Sequence, residues 1–130
     1  MPILPTDETV NVRYMVDDVA ASIEFYTSML GFEVGLDAAP AFADATRGNL
    51  RILLSGPKSS AGRPMTDGTT PGPGGWNRIH FIVDDLDAEV ARLRDAGARF
   101  RNEMVSGPGG KQILLLDPSD NIVELFEPAG

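Results

Sequence analysis

Apolar and polar residues alternate in two separate stretches of the chain. Each stretch is followed by a segment in which apolar residues recur at a longer spacing. Apolar side chains occupy every second position from Val12 to Val16 and again from Ile79 to Val83. A period of two indicates a strand with one buried face. After each strand, apolar residues recur every three or four positions, which indicates a helix with one buried face. The helix-face residues are Val19, Ile23, Tyr26 and Leu30 in the first copy and Leu86, Val90 and Leu93 in the second.

The two stretches are copies of one template. The triplets Val16-Asp17-Asp18 and Val83-Asp84-Asp85 lie 67 residues apart, and an aspartate in each can cap the following helix. Gly31 and Gly97 suit the left-handed residue that ends a helix. Three β-like stretches follow each helix, at about 32–36, 41–46 and 49–54 and at about 99–105, 111–116 and 121–126. The predicted order of elements is βαβββ, repeated once.

A segment rich in glycine and proline separates the copies. Gly, Pro, Ser and Thr make up 16 of the 21 residues from 55 to 75, so we predict a loop. The whole chain is then one domain, with module one at about 8–55, a linker at 56–75 and module two at about 76–128. A loop of this length could cover a cavity, embrace a partner chain or serve as a plain linker.

Composition narrows the possible functions. The chain has 130 residues, no cysteine and a net charge of −8 from 19 acidic and 11 basic side chains. Disulfides and thiol catalysis are excluded, and a surface this acidic disfavours nucleic-acid binding. The charge would attract cationic ligands or simply confer solubility. No apolar run is long enough to cross a bilayer, and the N-terminus does not resemble a signal peptide, so we expect a cytoplasmic protein.

The repeated motifs resemble those of the vicinal oxygen chelate superfamily, which includes glyoxalase I, extradiol dioxygenases and bleomycin-resistance proteins. The matching residues are Val16-Asp17-Asp18-Val19, Ser22, Phe25-Tyr26 and Leu30-Gly31-Phe32, then Val83-Asp84-Asp85-Leu86, Gly97 and the segment from Asp117 to Pro128. The resemblance implies an α+β fold whose two modules form an incompletely closed, eight-stranded curved sheet around a cavity, with helices outside. It also implies that small members form homodimers, and that enzymatic members hold one divalent metal.

Strand parity predicts which side chains face that cavity. The positions that alternate with the apolar ones on the first strand of each module should point away from the helix. Aligning the segment from Gly48 with that from Asp120 makes Ile52 the counterpart of Glu124, and we expect both to face the cavity. The predicted cavity residues are Asn11, Arg13 and Met15, Arg78, His80 and Ile82, and Ile52, Ile122, Glu124 and Phe126.

The resemblance places the family's metal ligands at Asn11, Ile52, Arg78 and Glu124, and only Glu124 matches the expected chemistry. Arg78 is always protonated and has no lone pair, and Ile52 offers no donor. A pair of His80 and Glu124 falls short of the three protein ligands that catalytic metal sites commonly use. We therefore expect no cofactor, with a divalent metal as the alternative.

Arg78 can instead form a forked ion pair with Glu124 across the cavity. Glu124 would then be either a relic paired with Arg78 or a ligand contact, while Arg13 and Arg78 could donate to ligand oxygens or reach solvent at the rim. His80 could be a satisfied interior residue or a general base. Trp76 could anchor the loop to the core or stack on an aromatic ligand. Met15, Phe42 and Phe126 could line the cavity or belong to the core.

Three functions remain open. The first is a metal-free binding protein of the bleomycin-resistance type, which would sequester a drug-like or aromatic molecule at a dimer interface and confer antibiotic resistance. The second is an enzyme, either a metal-dependent lyase, isomerase or dioxygenase or a metal-free catalyst with His80 or Glu124 as its base. The third is a regulatory or subunit role in which dimerisation matters and the cavity is vestigial.

Overall fold

A computed structural model of the protein describes residues 9–130. The predicted start of module one, at about residue 8, and the N-terminal segment tested for a signal peptide lie outside this range. The elements in chain order are β1 (Val10–Met15), α1 (Val19–Leu30), β2 (Glu33–Ala38), β3 (Phe42–Arg47), β4 (Leu50–Ser55), β5 (Ile79–Ile82), α2 (Leu86–Asp95), β6 (Arg99–Phe100), β7 (Val105–Gly107), β8 (Gly110–Leu116) and β9 (Ile122–Pro128).

The helices begin and end where the repeated motifs predict. The Asp18 side chain accepts a hydrogen bond from the backbone N–H of Ala21 at 3.0 Å, and Asp85 does the same for Ala88. Gly31, with φ of 73°, ends α1 in the left-handed conformation, and Gly97 follows α2 with φ of 88°. These local signals confirm both helices because a cap depends only on neighbouring residues.

The strands form two sheets. Module one has the order β1-β4-β3-β2, and module two has the order β5-β9-β8-β6, with β7 also paired to β8. In each module the first strand runs parallel to the last, and the others pair antiparallel. The order βαβββ, twice, and the α+β fold with a curved sheet are confirmed. The described residues contain no closed barrel.

One predicted strand, at 99–105, is split into β6 and β7, so residues 9–130 contain nine strands instead of the eight expected. Between the two, the side-chain oxygen of Asn102 accepts the backbone N–H of Leu114 at 2.9 Å. A side chain therefore takes the place of a backbone carbonyl, and the ladder is interrupted without leaving a donor unpaired. The expected hairpin turn at Ser106–Gly110 is confirmed, with Gly107 paired to Gly110.

One face of each sheet packs under its helix in a shared core. The predicted face of α2 is buried throughout, whereas in α1 Ile23 and Leu30 are only partly buried and Ser22 and Phe25 join the buried side. Core positions on the first strands are Val12, Tyr14 and Val16 and Ile79, Phe81 and Val83, as alternation predicts.

The predicted orientation of Ile52 is wrong. Ile52 is fully buried in the core and pairs with Val12, so it lies on the helix side of β4. Its neighbour Leu53 pairs with Arg13, just as Glu124 pairs with His80 in module two. The alignment of the two segments was therefore one residue out, and a slip of one residue moves a side chain to the opposite face. The true counterpart of Glu124 is Leu53.

Tyr14 joins the two modules where their first strands meet. Its hydroxyl donates to the carbonyl of Ile122 and accepts from the N–H of Ile79, both at 2.8 Å. Burial raises the pKa of Tyr14 to about 12, so the hydroxyl keeps its proton at neutral pH.

The loop before β9 forms the second part of this joint. Asp117 is fully buried and accepts hydrogen bonds from the Tyr26 hydroxyl, from the backbone of Ser119, and from the backbone and side chain of Asn121. Burial raises the pKa of Asp117, and these donors limit the rise. The Asn121 side chain also donates to the carbonyl of Met15 at 2.8 Å, which links the loop to β1.

The linker contains one short 3₁₀ turn at Ser60–Gly62 and is otherwise irregular. Its end is held by a hydrogen bond from the N–H of Gly74 to the Asn121 side chain, at 2.8 Å. Between residues 9 and 130, neither helix has the length and apolarity needed to span a membrane.

Candidate functional site

The faces of the two sheets opposite the helices carry the candidate site, and together we call them the cup face. Its members follow from the strand pairings, because paired residues share a face. In module one they are Asn11, Arg13, Met15, Phe42, Asp44, Thr46, Arg51, Leu53 and Ser55, and in module two they are Arg78, His80, Ile82, Gln112, Leu114, Leu116, Ile122, Glu124 and Phe126.

The ion pair predicted between Arg78 and Glu124 is confirmed. The Nε and Nη2 atoms of Arg78 lie 2.9 and 2.8 Å from Oε1 of Glu124, so two donors converge on one carboxylate oxygen. Nη1 of Arg78 donates to the carbonyl of Trp76 at 3.2 Å. The Glu124 side chain is only 9% exposed, and that of Arg78 is 27% exposed. The pair is therefore largely withdrawn from water, and removing either partner would leave a charge without compensation.

His80 shares the same carboxylate. Its Nε2 atom lies 3.3 Å from Oε2 of Glu124, the oxygen that Arg78 does not contact. The imidazole lies 5.2 Å from the ring of Phe126, centre to centre, and 42% of the side chain is exposed. His80 is thus oriented by a buried carboxylate on one side and an aromatic ring on another, with an edge open to the cup.

Module one carries a different ion pair, between Asp44 and Arg51. These residues lie on β3 and β4, and Nη2 of Arg51 contacts Oδ2 of Asp44. The other oxygen of Asp44 accepts the N–H of Leu36 at 3.1 Å. Burial alone would raise the pKa of Asp44, but the hydrogen bonds from Arg51 and Leu36 outweigh it and hold the pKa below its usual value. A side chain at Gly35 would collide with this carboxylate.

Arg13 is the remaining cation at the centre of the cup face. Its Nη1 atom donates to the hydroxyl of Ser55 at 2.8 Å, so the guanidinium lies across β4. Its pairing partner on that strand is Leu53, which is apolar.

The sequence did not reveal the roles of three cup-face residues, Asp44, Arg51 and Leu53. An aspartate within the small apolar run of β3 was the available signal for Asp44.

Trp76 lies at the rim beside module two. Trp76 is 64% exposed, which contradicts the first of its two alternatives, that it anchors the loop to the core; a hydrogen bond from Gly74 to Asn121 holds the end of the loop instead. The guanidinium of Arg101 lies 5.6 Å from the centre of the indole. A cavity of about 400 Å³ adjoins this pair and reaches the cup-face residues Leu116 and Ile122.

The donors at the cup do not fit the divalent metal that the resemblance implies. At the four corresponding positions stand Asn11, Arg78, Leu53 and Glu124, and Glu124 is already held by a guanidinium. Within the described part of the chain, no three His, Asp or Glu side chains converge on a point that could hold an ion. A fixed positive charge therefore stands where a metal would need a neutral or anionic donor.

The structure brings most of the predicted site residues together. Those on the cup face are Asn11, Arg13, Met15, Arg78, His80, Glu124 and Phe126, while Trp76 lies at the rim and Ile52 lies in the core. Whether they bind a ligand stays a prediction.

Comparison with known proteins places this geometry in a family. Residues 9–125 match the model of the Glyoxalase/Bleomycin resistance protein/Dioxygenase superfamily. An ethylmalonyl-CoA/methylmalonyl-CoA epimerase from Cereibacter sphaeroides is 33% identical over 118 residues, covering 85% of this chain and 87% of the epimerase.

Solved structures of other proteins have a similar fold. A superfamily member from Sphaerobacter thermophilus is 26% identical, with a TM-score of 0.72 over 92% of this chain and 95% of that one. TnmS3, an antibiotic binding protein from Streptomyces sp. CB03234, is 20% identical, with a TM-score of 0.72 over 98% and 100% of the two chains. Because TnmS3 is only 20% identical, its similarity shows a shared fold and nothing about function.

Proposed function

The chain belongs to the Glyoxalase/Bleomycin resistance protein/Dioxygenase superfamily, and we propose that within it the protein binds and sequesters a small drug-like or aromatic molecule without a metal. The observation that carries this proposal is the Arg78–Glu124 pair. In this arrangement the one carboxylate suited to a metal is neutralised by the protein's own cation. Binding then depends on side chains alone.

The make-up of the cup face suits a small organic ligand. Binding sites are mostly apolar surfaces with a few polar groups that orient the ligand. Met15, Leu53 and Phe126 supply apolar surface, while Arg13 and His80 supply exposed polar atoms. Trp76 at the rim offers a flat ring for stacking.

We propose further that the binding unit is a homodimer. Sequestration requires most of the ligand surface to be buried, and an open cup face leaves one side of the ligand in contact with solvent. Ile82 on the cup face is 68% exposed, and Val105, the pairing partner of cup-face residue Gln112, is 50% exposed. A second copy that covers these side chains would close the site.

Thermal denaturation in the presence of a library of aromatic and drug-like compounds tests the proposal. A ligand present at about a hundred times its dissociation constant should stabilise the folded protein by roughly 2.7 kcal/mol. Metal analysis of the purified protein should show no stoichiometric divalent ion, and chelator should leave the melting temperature unchanged. A tightly held divalent ion, or a library without a single stabilising compound, would refute this function.

A second function, metal-free epimerisation, is favoured by the contact between His80 and Glu124 and by the 33% identical epimerase. Epimerisation requires a base to remove the proton next to a carbonyl, leaving the electron pair as an enolate, and an acid to return a proton to the other face. His80, oriented by Glu124, is the candidate base.

Proton exchange distinguishes the two functions. If the protein is an epimerase, ethylmalonyl-CoA in D₂O should lose its α-proton signal in NMR spectra faster with the protein than without it, and His80→Gln should abolish the acceleration. A matched variant, Arg94→Met on the opposite side of the sheet, should retain it. Exchange at the uncatalysed rate would exclude this activity for that substrate and leave sequestration as the proposed function.

A further inference from the structure

The charge on the cup face runs opposite to the charge of the whole chain. The protein has a net charge of −8, which taken alone would favour a cationic ligand. On the cup face and its rim, however, arginines outnumber the carboxylates that they contact. This local excess, and not the net charge, sets the field that a bound ligand meets at short range.

Each carboxylate at the centre and module-two rim of the cup already has an arginine partner. Asp44 pairs with Arg51, and Glu124 pairs with Arg78 at 2.8 Å. At the rim, Asp120 lies 2.8 Å from Arg99. These three acids are therefore neutralised within the protein.

On the cup face and its rim, two arginines have no carboxylate partner among residues 9–130. Arg101 lies over the ring of Trp76, and Arg13 donates only to the neutral hydroxyl of Ser55. A guanidinium has five N–H donors, and this contact uses one donor of Arg13. Arg13 is also exposed, so the remaining donors are accessible.

We propose that Arg13 is the specificity-determining residue of the cup and that it selects a ligand bearing a carboxylate. This inference rests on the proposed function, and it names the chemical class of the ligand. A guanidinium pairs with a carboxylate through two parallel hydrogen bonds, which supply both affinity and orientation. The ligand would provide the acid that the protein does not place beside Arg13.

The position of Arg13 supports this role. On β4 its pairing partner is Leu53, whereas the equivalent residue of module two, His80, is paired with Glu124. Arg13 also precedes Tyr14, whose hydroxyl joins β1 to module two. The carboxylate would therefore bind near the boundary between the modules, and the remainder of the ligand could extend over the apolar surface on either side.

The test uses two probes of almost equal shape, 1-naphthoate and its neutral analogue 1-naphthamide, in calorimetric or NMR titrations at about 0.15 M salt. The wild-type protein should bind naphthoate more tightly than naphthamide. Arg13→Met should weaken naphthoate binding by about tenfold or more, because a charge-assisted pair is lost, and leave naphthamide binding nearly unchanged. Arg94→Met, which removes the same charge from the outer helix α2, should affect neither probe.

A second variant, Leu53→Glu, tests the proposal independently in case Arg13→Met does not fold. Leu53→Glu keeps Arg13 and places a carboxylate at the paired position, so it should weaken naphthoate binding more than naphthamide binding, although the loss of apolar surface affects both probes. Equal binding of the two probes by the wild type, or an equal loss of both in Arg13→Met, would overturn the inference. Sequestration of an uncharged library compound would then still support the proposed function, whereas a library without hits would refute both.

Discussion

The two modules share one backbone plan, yet they treat charge on the cup face in opposite ways. In module two, the paired positions on the first and last strands hold His80 and Glu124, and the carboxylate is shared between His80 and Arg78. In module one, the corresponding positions hold Arg13 and Leu53. On the cup face, the carboxylate of module two is therefore matched by cations of the same module, while module one presents Arg13 without an acid beside it.

The difference does not extend to the core. Tyr14 pairs with Leu54 as Phe81 pairs with Leu125, and all four side chains belong to the core. Close packing restricts core residues to apolar side chains of suitable volume. The cup face is not subject to this restriction, so a symmetric scaffold can carry an asymmetric site. We therefore expect the functional residues to be at the cup-face positions where the two modules differ.

The largest effect is expected when glutamate is introduced at two adjacent positions of β4, one in the core and one on the cup face. Ile52→Glu places a charge in the closed core and should cost at least about 4 kcal/mol or prevent folding, because the carboxylate has no partner there. Leu53→Glu places it on the partly exposed cup face, between Arg13 on β1 and Asp44 on β3, and should cost much less, about 1 kcal/mol. Urea unfolding followed by circular dichroism measures both. Similar losses would show that the inferred register of β4 is wrong.

The next largest effect should come from removing the carboxylate of module two. Glu124→Ala leaves Arg78 largely buried without its partner and should destabilise the protein by about 3 kcal/mol, toward the lower end for buried pairs because Arg78 retains some solvent contact. Replacing both residues, as Arg78→Met with Glu124→Leu, should recover most of this loss. Chemical denaturation gives the values, and a double variant as unstable as Glu124→Ala would argue against the ion pair as the cause.

Removing the hydrogen bonds that Tyr14 makes between the modules should reduce the free energy of unfolding somewhat less. Tyr14→Phe removes the hydroxyl that bridges Ile79 and Ile122 and leaves a buried N–H without its acceptor, so we expect a loss of about 2 kcal/mol. Thermal unfolding and hydrogen exchange at Ile79 provide the readout. Phe25→Leu, a change of core packing within module one, serves as the control and should not increase exchange at Ile79 selectively.

The smallest effect concerns the ion pair of module one. Asp44→Asn should cost about 1 kcal/mol at pH 7, because Arg51 is partly exposed. The pKa of Asp44 is lowered in the folded state, so its carboxylate stabilises the fold above the unfolded pKa, and this contribution is lost as the pH falls through the folded pKa. The difference between wild type and variant in urea unfolding should therefore shrink below about pH 4. A difference that grew on acidification would contradict the assignment.

The site was only partly accessible to prediction. Alternation along β1 and β5 correctly placed Arg13 and His80 on the cup face, because each strand directly precedes a recognisable helix cap. The pairing of Arg78 with Glu124 followed from the same parity. Ile52 was misplaced because the two turns differ in length: residues 48–49 join β3 to β4, whereas residues 117–121 join β8 to β9. No local pattern records that difference.

The sequence by itself determined what depends on neighbouring residues: two capped helices, the alternating strands, the repeat and hence the fold. Only the tertiary structure decided which residue of β4 lies beside Arg13, that Asp44 is neutralised by Arg51, and that Trp76 lies exposed at the rim. The physical reason is the range of the interactions. Caps and periodicity act within a few residues, whereas strand register is set by pairing across some 40 residues, and a shift of one position exchanges core and cup.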